Sequence, residues 1–341
     1  MKLENPLFKI LAVAIGCLLV VSCGSKSNTR VIKLASTLSP SQPVTKAMKF
    51  MAKRLKEKSD GQLQIKIYPS GQLGDEREAL ELLQIGSIGM TKVSAAALES
   101  FDPAFKAVDM PYIFKNDDQR FKILDSKIGR ELLLGSQKYW MRGLCYYDAG
   151  SRSFYTVKKP VRTPADLKGL KIRVQNSDIA VQMIRQLGGA ATPIPFGELY
   201  SALQQGVVDG AENNPPSLYF SRQYEVIDYY TLDKHTSIPD VLLISTVLWN
   251  HLTPQQQQWM QEAADESAVY QRKIWAKLEK KALDEMKDAG VKIIRPDKSP
   301  FVKKVQPMYE EYKTTHPDLY KRIHEIRQMQ NENLSAQQDS L

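Results

Sequence analysis

The chain has 341 residues, 43% hydrophobic and 25% charged, with a formal net charge of +9. That balance is globular, and the length suits two domains rather than one. The basic residues are scattered, and the densest cluster, Lys53-Arg54-Lys56-Lys58, sits on an amphipathic helix with no interleaved aromatics, so the pattern is that of a solvated helix face and excludes nucleic acid as a partner. The charge instead serves solubility, attraction to anionic surfaces, or capture of an anionic small molecule.

Lys2 and Lys9 flank a short positive region, and an apolar run follows from Ile10 to Val21. It is shorter than the roughly 20 residues of a membrane span, so residues 1–22 read as a secretory signal peptide. The run ends in Val20-Val21-Ser22-Cys23-Gly24, which resembles the bacterial lipobox, where the cysteine thiol takes a diacylglycerol anchor. The alternative is an ordinary signal with a chance cysteine. On the first reading the mature protein is periplasmic and lipid-anchored to a bacterial membrane at Cys23, with residues 23–30 as a polar tether. Of the 3 cysteines, only Cys145 then remains in the folded part. It lies in the apolar run Met141 to Tyr147 and is expected to be a buried, inert thiol without a disulfide.

The folded chain opens with a strand at Val31–Ser36, a helix from about Gln42 to Lys58, a second strand at Leu63–Tyr68, a helix through Leu83 and a third strand at Ile88–Val93. This βαβαβ order implies a parallel sheet with helices on its faces. Strands follow at Met141–Tyr147, Ser153–Val157 and Lys171–Gln175, where Ile172 and Val174 alternate with Lys171, Arg173 and Gln175. A helix at Ser177–Leu187, a short strand at Ala191–Ile194, a helix at Phe196–Gln205 and a long apolar strand at Val241–Leu248 come next. Thr253-Pro254 then opens a helix with no breaker before Gly290. It covers about 36 residues, roughly 54 Å, against roughly 30 Å for a small domain, so it is expected to run along two domains. Val291–Ile294 and two shorter helices to about Met329 complete the fold, and the Asn/Gln/Ser-rich residues 330–341 read as a disordered tail.

Catalytic signatures are missing: there is no G-x-S-x-G, no Walker A loop, no His-Glu-x-x-His and no Cys-x-x-Cys. The 4 histidines, His235, His251, His316 and His324, are dispersed without metal-ligand spacing. No cofactor or metal is expected, and nothing in the residues asks for an enzyme.

Four motifs stand in order along the chain: Pro69-Ser70-Gly71-Gln72-Leu73-Gly74-Asp75-Glu76-Arg77, Leu170-Lys171-Ile172-Arg173-Val174, Pro195-Phe196-Gly197-Glu198-Leu199-Tyr200-Ser201-Ala202-Leu203 and Gly206-Val207-Val208-Asp209-Gly210-Ala211-Glu212-Asn213. Together they resemble the solute-binding proteins of tripartite ATP-independent periplasmic (TRAP) transporters, the dicarboxylate-transporter DctP family, from about Val31 to Arg327. The resemblance implies the α/β periplasmic solute-binding fold: two domains joined by hinge strands and by one long helix spanning both. Domain I would take residues 31–149 plus 239–275, and domain II residues 150–238 plus 276–329. The implied function is extracytoplasmic capture of an organic acid, by a monomer that delivers it to the TRAP membrane subunits. A sensor-coupled binding protein and an enzyme on the same scaffold are the readings of a different class.

The resemblance also implies the site. Arg173, at the strand end of its motif, would bind the ligand carboxylate, because a guanidinium is a planar fork that matches a carboxylate two bonds at a time. The alternative is an ion pair across the sheet. Arg152 matches a second arginine that reaches the ligand, Asn213 an amide that both donates and accepts, with a plain turn residue as its alternative, and Phe196 an aromatic packed on the ligand, with a helix-starting core phenylalanine as its alternative. Asn176 faces the same cleft by analogy, with helix capping as its other role. Ser36 and Ser94 end strands of the first domain, where ligands of open α/β sheets collect. Glu76 and His235 complete the set, with a structural role as the alternative for each. The Ser-, Asn- and Gln-rich loops suit a polyhydroxy acid, since a plain diacid would leave several polar groups buried and unpaired. The segment Glu212-Asn213-Asn214-Pro215-Pro216-Ser217 resembles the sugar-acid branch, binders of hexuronates such as glucuronate and galacturonate. A C4-dicarboxylate is the runner-up, and sialic acid the third.

Overall fold

The computed structural model describes residues 29–338. The residues read as a signal peptide, Cys23 and nearly all of the residues read as a tether lie outside the described residues. Four strands come first: β1 Arg30–Ala35, β2 Leu63–Tyr68, β3 Met90–Ser94 and β4 Met141–Tyr147. Then follow β5 Arg152–Thr156, β6 Lys171–Val174, β7 Ala190–Pro193, β8 Gly210–Asn213 and β9 Tyr229–Thr236. The last two are β10 Asp240–Ser245 and β11 Lys292–Ile294.

They form two sheets, in the orders β2-β1-β3-β10-β4 and β11-β9-β5-β8-β6-β7. In the first sheet β1 pairs in parallel with β2 and β3, as the βαβαβ order requires, while β10 enters antiparallel between β3 and β4. In the second sheet β6 runs parallel to β7 and β8, whereas β5 is antiparallel to β8 and β9. The chain crosses between the sheets at residues 148–151 and again at 237–239, where the Ser151 and Ser237 hydroxyls share a 2.9 Å hydrogen bond. These two crossings stand where the hinge strands between two domains were expected.

The oversized helix is Pro254–Asp288, 35 residues and about 52 Å long. Thr253 and Gln256 form a reciprocal capping box at its start. Its first half packs Met260, Ala263, Ala264 and Ala268 into the first-domain core beside Met48 and Met51 of helix Pro43–Lys58, and its far end puts Met286 into the second-domain core. Between them, Gln271 grips the first crossing segment: its Nε2 donates to Asp148 O at 2.7 Å and its Oε1 accepts from Asp148 N at 2.8 Å. The cationic cluster of the helix Pro43–Lys58 is partly neutralised here, since Arg54 and Lys58 both pair with Glu266 and Lys58 with Glu262 as well.

A further hydrophobic cluster is continuous between the domains, joining Val93, Phe105 and Met110 to Ile172, Val174 and Ile179. Two C-terminal helices, Ser299–Thr315 and Pro317–Gln338, pack into it. The second runs through residues read as disordered. At the start of that segment the Gln330 side chain donates to Ile113 O and accepts from Lys115 N, both at 2.9 Å. The strand expected to run to Leu248 stops at Ser245, whose hydroxyl accepts from Val247 N and caps the helix Thr246–Asn250. Cys145 is a free, buried thiol whose pKa is pushed up by burial.

Candidate ligand-binding site

The C-terminal ends of the parallel strands converge on one cleft between the domains. Two adjoining recesses share Thr37, Glu76, Arg173, Gln175 and Phe196 in their walls. Open α/β sheets collect ligands at this place, beyond the carboxyl ends of their strands.

Arg173 enters the cleft from β6, held in register against Thr192 of β7 and Ala211 of β8. It is 2% exposed. Its Nε donates to Ile194 O at 2.8 Å, while Nη1 is buried with no partner. No carboxylate pairs with it among the described residues. Burial therefore pulls its pKa down, and the like charge of Arg152 adds to that. An arginine buried without a counter-ion is costly, and this one is aimed into a cleft.

Arg152 lines the same cleft with four of its five N–H donors already engaged within the protein. It forms an ion pair with Glu212 through Nε, and its Nη2 donates to Glu212 Oε1 at 2.8 Å and to Glu212 O at 2.7 Å. Its Nη1 donates to Asn213 Oδ1 at 2.9 Å, which also accepts from Asn214 N at 2.9 Å. Asn213 thus has its oxygen fixed, leaving the amide Nδ2 to donate. Behind them His235 stands between Asp233 Oδ2 at 2.8 Å and Glu212 Oε2 at 3.4 Å. Burial alone would depress the His235 pKa, but the charges of Asp233 and Glu212 carry it to about 9. Burial likewise opposes ionisation of Glu212, and Arg152 with His235 overrides it, taking that carboxyl to about 2. Asp233, His235, Glu212 and Arg152 form an ionised, internally compensated wall.

The first domain contributes Glu76, Lys92, Ser94 and Asp240. Gly74 at φ 96° sets up the turn before the helix Glu76–Gln84: a Cβ there would meet Glu78 Oε2 at 2.5 Å. Asp75 and Glu78 then form a reciprocal capping box, which fixes Glu76 as the first helical residue. Glu76 accepts from Ser94 N at 3.1 Å and from Lys92 Nζ at 3.3 Å, and Lys92 also donates to Asp240 Oδ1 at 3.2 Å. Burial, with the Glu76 charge adding and Lys92 opposing, pushes the Asp240 carboxyl up to about 6. Ser94 Oγ reaches Gln175 Oε1 of the other domain at 3.5 Å.

Residues 34–315 match the model of the bacterial extracellular solute-binding protein family 7, DctP. The chain belongs to this family. A solute-binding protein of Chromohalobacter salexigens is 36% identical over 321 residues, covering 94% of this chain and 96% of the relative. The 2,3-diketo-L-gulonate-binding periplasmic protein YiaO of Escherichia coli is 30% identical over 278 residues, covering 80% and 85%. Among solved structures, a TRAP periplasmic solute-binding protein from Xanthobacter autotrophicus with bound β-D-galacturonate superposes with a TM-score of 0.84 at 36% identity, covering 87% of this chain and 99% of the other. A second, from Chromohalobacter salexigens with bound D-glucuronate, gives 0.85 at 36%, with the same coverage of 87% and 99%. Like them, this DctP-family protein is a TRAP solute-binding protein and acts outside the cytoplasm. No helix among the described residues is long and apolar enough to cross a membrane.

The DctP fold brings most of the sequence-derived candidates together. Arg173, Asn176, Phe196 and Glu76 line one recess, and Arg152, Asn213 and Ser94 the other. Asn176 is exposed, and the helix-capping role expected of it as an alternative belongs to Ser177, which accepts from Ala180 N at 3.0 Å. Phe196 is half-buried and touches the cores of both domains. Ser36 and His235 do not line the cleft. The Ser36 hydroxyl turns back to accept from Leu38 N at 3.2 Å, and its neighbour Thr37 lines both recesses instead. His235 is fully buried behind Glu212. Lys92 and Asp240 were missed. The signal was there: a lone lysine inside the buried strand Met-Thr-Lys-Val-Ser, and an aspartate at the head of Asp-Val-Leu-Leu-Ile-Ser. A buried charge in an apolar strand needs a partner or a ligand.

Proposed function

We propose that this TRAP solute-binding protein captures a hexuronate, D-glucuronate or D-galacturonate, in the cleft between its domains and delivers it to the membrane subunits. The observation that carries this reading is Arg173, buried at 2% exposure with a free Nη1 and no acidic partner. The ligand carboxylate takes the Nη1/Nη2 end of the fork while Nε stays on Ile194 O. Charge-assisted bonds contribute about 1.5–3 kcal/mol each, and micromolar binding needs about 8 kcal/mol, so the fork alone is not enough. The ring hydroxyls supply the rest, through Thr37, Gln175, Asn213 and the Lys92 cluster, with Phe196 offering a flat apolar face. Arg152 positions Asn213, and His235 and Glu212 hold Arg152. Support from similar proteins is specific: the structures from Xanthobacter autotrophicus and Chromohalobacter salexigens hold galacturonate and glucuronate.

Thermal-shift and calorimetric titration against glucuronate, galacturonate, succinate, malate and sialic acid test the reading. A ligand at a hundred times its Kd stabilises the fold by about 2.7 kcal/mol, several degrees in Tm. Succinate or malate raising Tm while both uronates leave it unmoved overturns the reading in favour of a C4-dicarboxylate. The ligand is recovered chemically unchanged, and the protein acts as a monomer of two lobes, residues 31–149 plus 239–275 and 150–238 plus 276–329. Cys23 carries the lipid anchor; an N-terminal peptide of unmodified mass at Cys23 in the native protein removes that part.

A further inference from the structure

The ionisable groups of the recess lined by Arg152, Asn213 and Ser94 are not evenly balanced across it. Arg152 is neutralised by Glu212 within its own domain. Lys92 stands between two carboxylates, Glu76 at 3.3 Å and Asp240 at 3.2 Å. Pairing off these groups leaves one free cation, Arg173 from the second domain, and one surplus carboxylate on the first-domain wall. Lys92 is 2% exposed and Asp240 10% at the side chain, so water screens this surplus poorly. Burial and the neighbouring Glu76 charge push the Asp240 carboxyl up to about 6 against the pull of Lys92. Asp240 faces Lys92 from β3, Glu76 from the helix Glu76–Gln84 and Arg152 from β5.

An acid with one carboxylate and several hydroxyls fits this recess at both ends: the carboxylate meets Arg173, and the hydroxyls donate to Glu76 or Asp240. A second carboxylate at the far end of the ligand would lie against like charge, beside a lysine already shared by two carboxylates. We propose that the Lys92–Glu76–Asp240 cluster is a charge filter that admits monocarboxylate sugar acids and rejects dicarboxylates. The inference rests on the sugar-acid reading above and deepens it.

The test compares gluconate with glucarate, two acyclic six-carbon acids that differ only in a terminal hydroxymethyl against a carboxylate. Calorimetry at pH 7.5 on the wild-type protein should give gluconate at least tenfold tighter binding. Asp240→Asn and Glu76→Gln should each narrow that ratio at least fivefold, while glucuronate binding, weakened by the lost hydroxyl partner, persists. Lowering the pH of the wild-type protein to 5 should narrow the ratio as well, without any substitution, and Asp240→Asn should remove that pH effect. Glucarate binding as tightly as gluconate overturns the filter, as does a ratio that neither variant nor pH alters. Exclusion of both acyclic acids while glucuronate binds assigns the discrimination to ring shape and overturns it too. Failure of glucuronate itself is a different result, and sinks the sugar-acid reading.

Discussion

Replacing Arg173 with methionine separates a ligand anchor from a structural ion pair. Methionine keeps an unbranched stem of similar volume and discards the charge. The substitution loses the Nε bond to Ile194 O, worth about 1 kcal/mol. It also removes a cation buried without an acidic partner, whose desolvation costs on the order of several kcal/mol. Urea unfolding of the ligand-free variant should therefore show stability unchanged or raised by up to about 2 kcal/mol. Binding should respond in the opposite sense. Losing two charge-assisted bonds of about 1.5–3 kcal/mol each weakens the uronate Kd roughly 10²- to 10⁴-fold. Lysine in the same place keeps the charge but not the fork, and should recover only part of that loss. The decisive readouts are paired: calorimetry with glucuronate, and urea midpoints with and without it. Should Arg173→Met cost about 3 kcal/mol or more of stability, as breaking a buried pair does, while uronate affinity falls less than tenfold, Arg173 is a structural residue and the reasoning fails.

The buried wall predicts a pH profile. His235 has its pKa raised from 6.5 to about 9, so its contribution of about 3 kcal/mol is fully present below pH 6.5 and lost as pH rises through 9. Glu212, lowered from 4.5 to about 2, contributes above pH 4.5 and loses its share as pH falls through 2. Urea midpoints at pH 6 and pH 9.5 should differ in the wild type and converge in His235→Gln; a wild-type profile flat across that interval refutes the charged assignment. Gln271→Leu strips both partners from the buried Asp148 backbone, and should cost about 2–4 kcal/mol in chemical denaturation. Gly210→Ala places a Cβ 2.4 Å from Tyr155 O, which must displace β8; the variant should lose stability and, because Asn213 ends that strand, weaken uronate binding by calorimetry as well.

The place of Arg173 at a strand end was legible from strand alternation and the abrupt change to helix-start residues, whereas its role toward a ligand came from the family motif around it, the residues alone leaving an ion pair across the sheet open. The long helix was legible from punctuation alone, Thr253-Pro254 at one end and Gly290 at the other. Two strands were not. Gly-Ala-Glu-Asn of β8 has no β-branched residue and no alternation, since all four positions are buried; only pairing with β5 and β6 makes it a strand. In β9, Tyr-Tyr-Thr-Leu-Asp-Lys-His-Thr, the Lys234 backbone takes φ 52° and the register with β5 shifts. Asp233 and His235 nonetheless share the inward face, with Lys234 exposed between them. His235 was named with a structural role as its alternative, and its partners Asp233 and Glu212 lie 2 and 23 positions away in sequence. Lys92 failed through habit: a lysine in a strand is usually read as the solvent-facing position.

The pattern of compensation bears on how the two lobes close. Nearly every charge that enters the cleft wall carries its partner with it: Arg152 with Glu212, His235 with Asp233, Lys92 with Glu76 and Asp240. Contacts between the domains are also available without ligand, from Lys106 to Asp178 at 2.7 Å, from Glu99 to the Asp178 amide and from Ser94 to Gln175. If all the charges were paired, those contacts would favour closure whether or not a ligand was present. Arg173 opposes it. Shutting the cleft over a bare guanidinium removes its water and gives nothing back, whereas shutting it over a carboxylate exchanges water for two strong bonds. A ligand shifts a two-state equilibrium only by its difference in affinity for the two states, and here that difference resides largely in one side chain. A closed population that is the same with and without glucuronate, measured by the distance between spin labels on the two lobes, would contradict this account even if Arg173 touches the ligand.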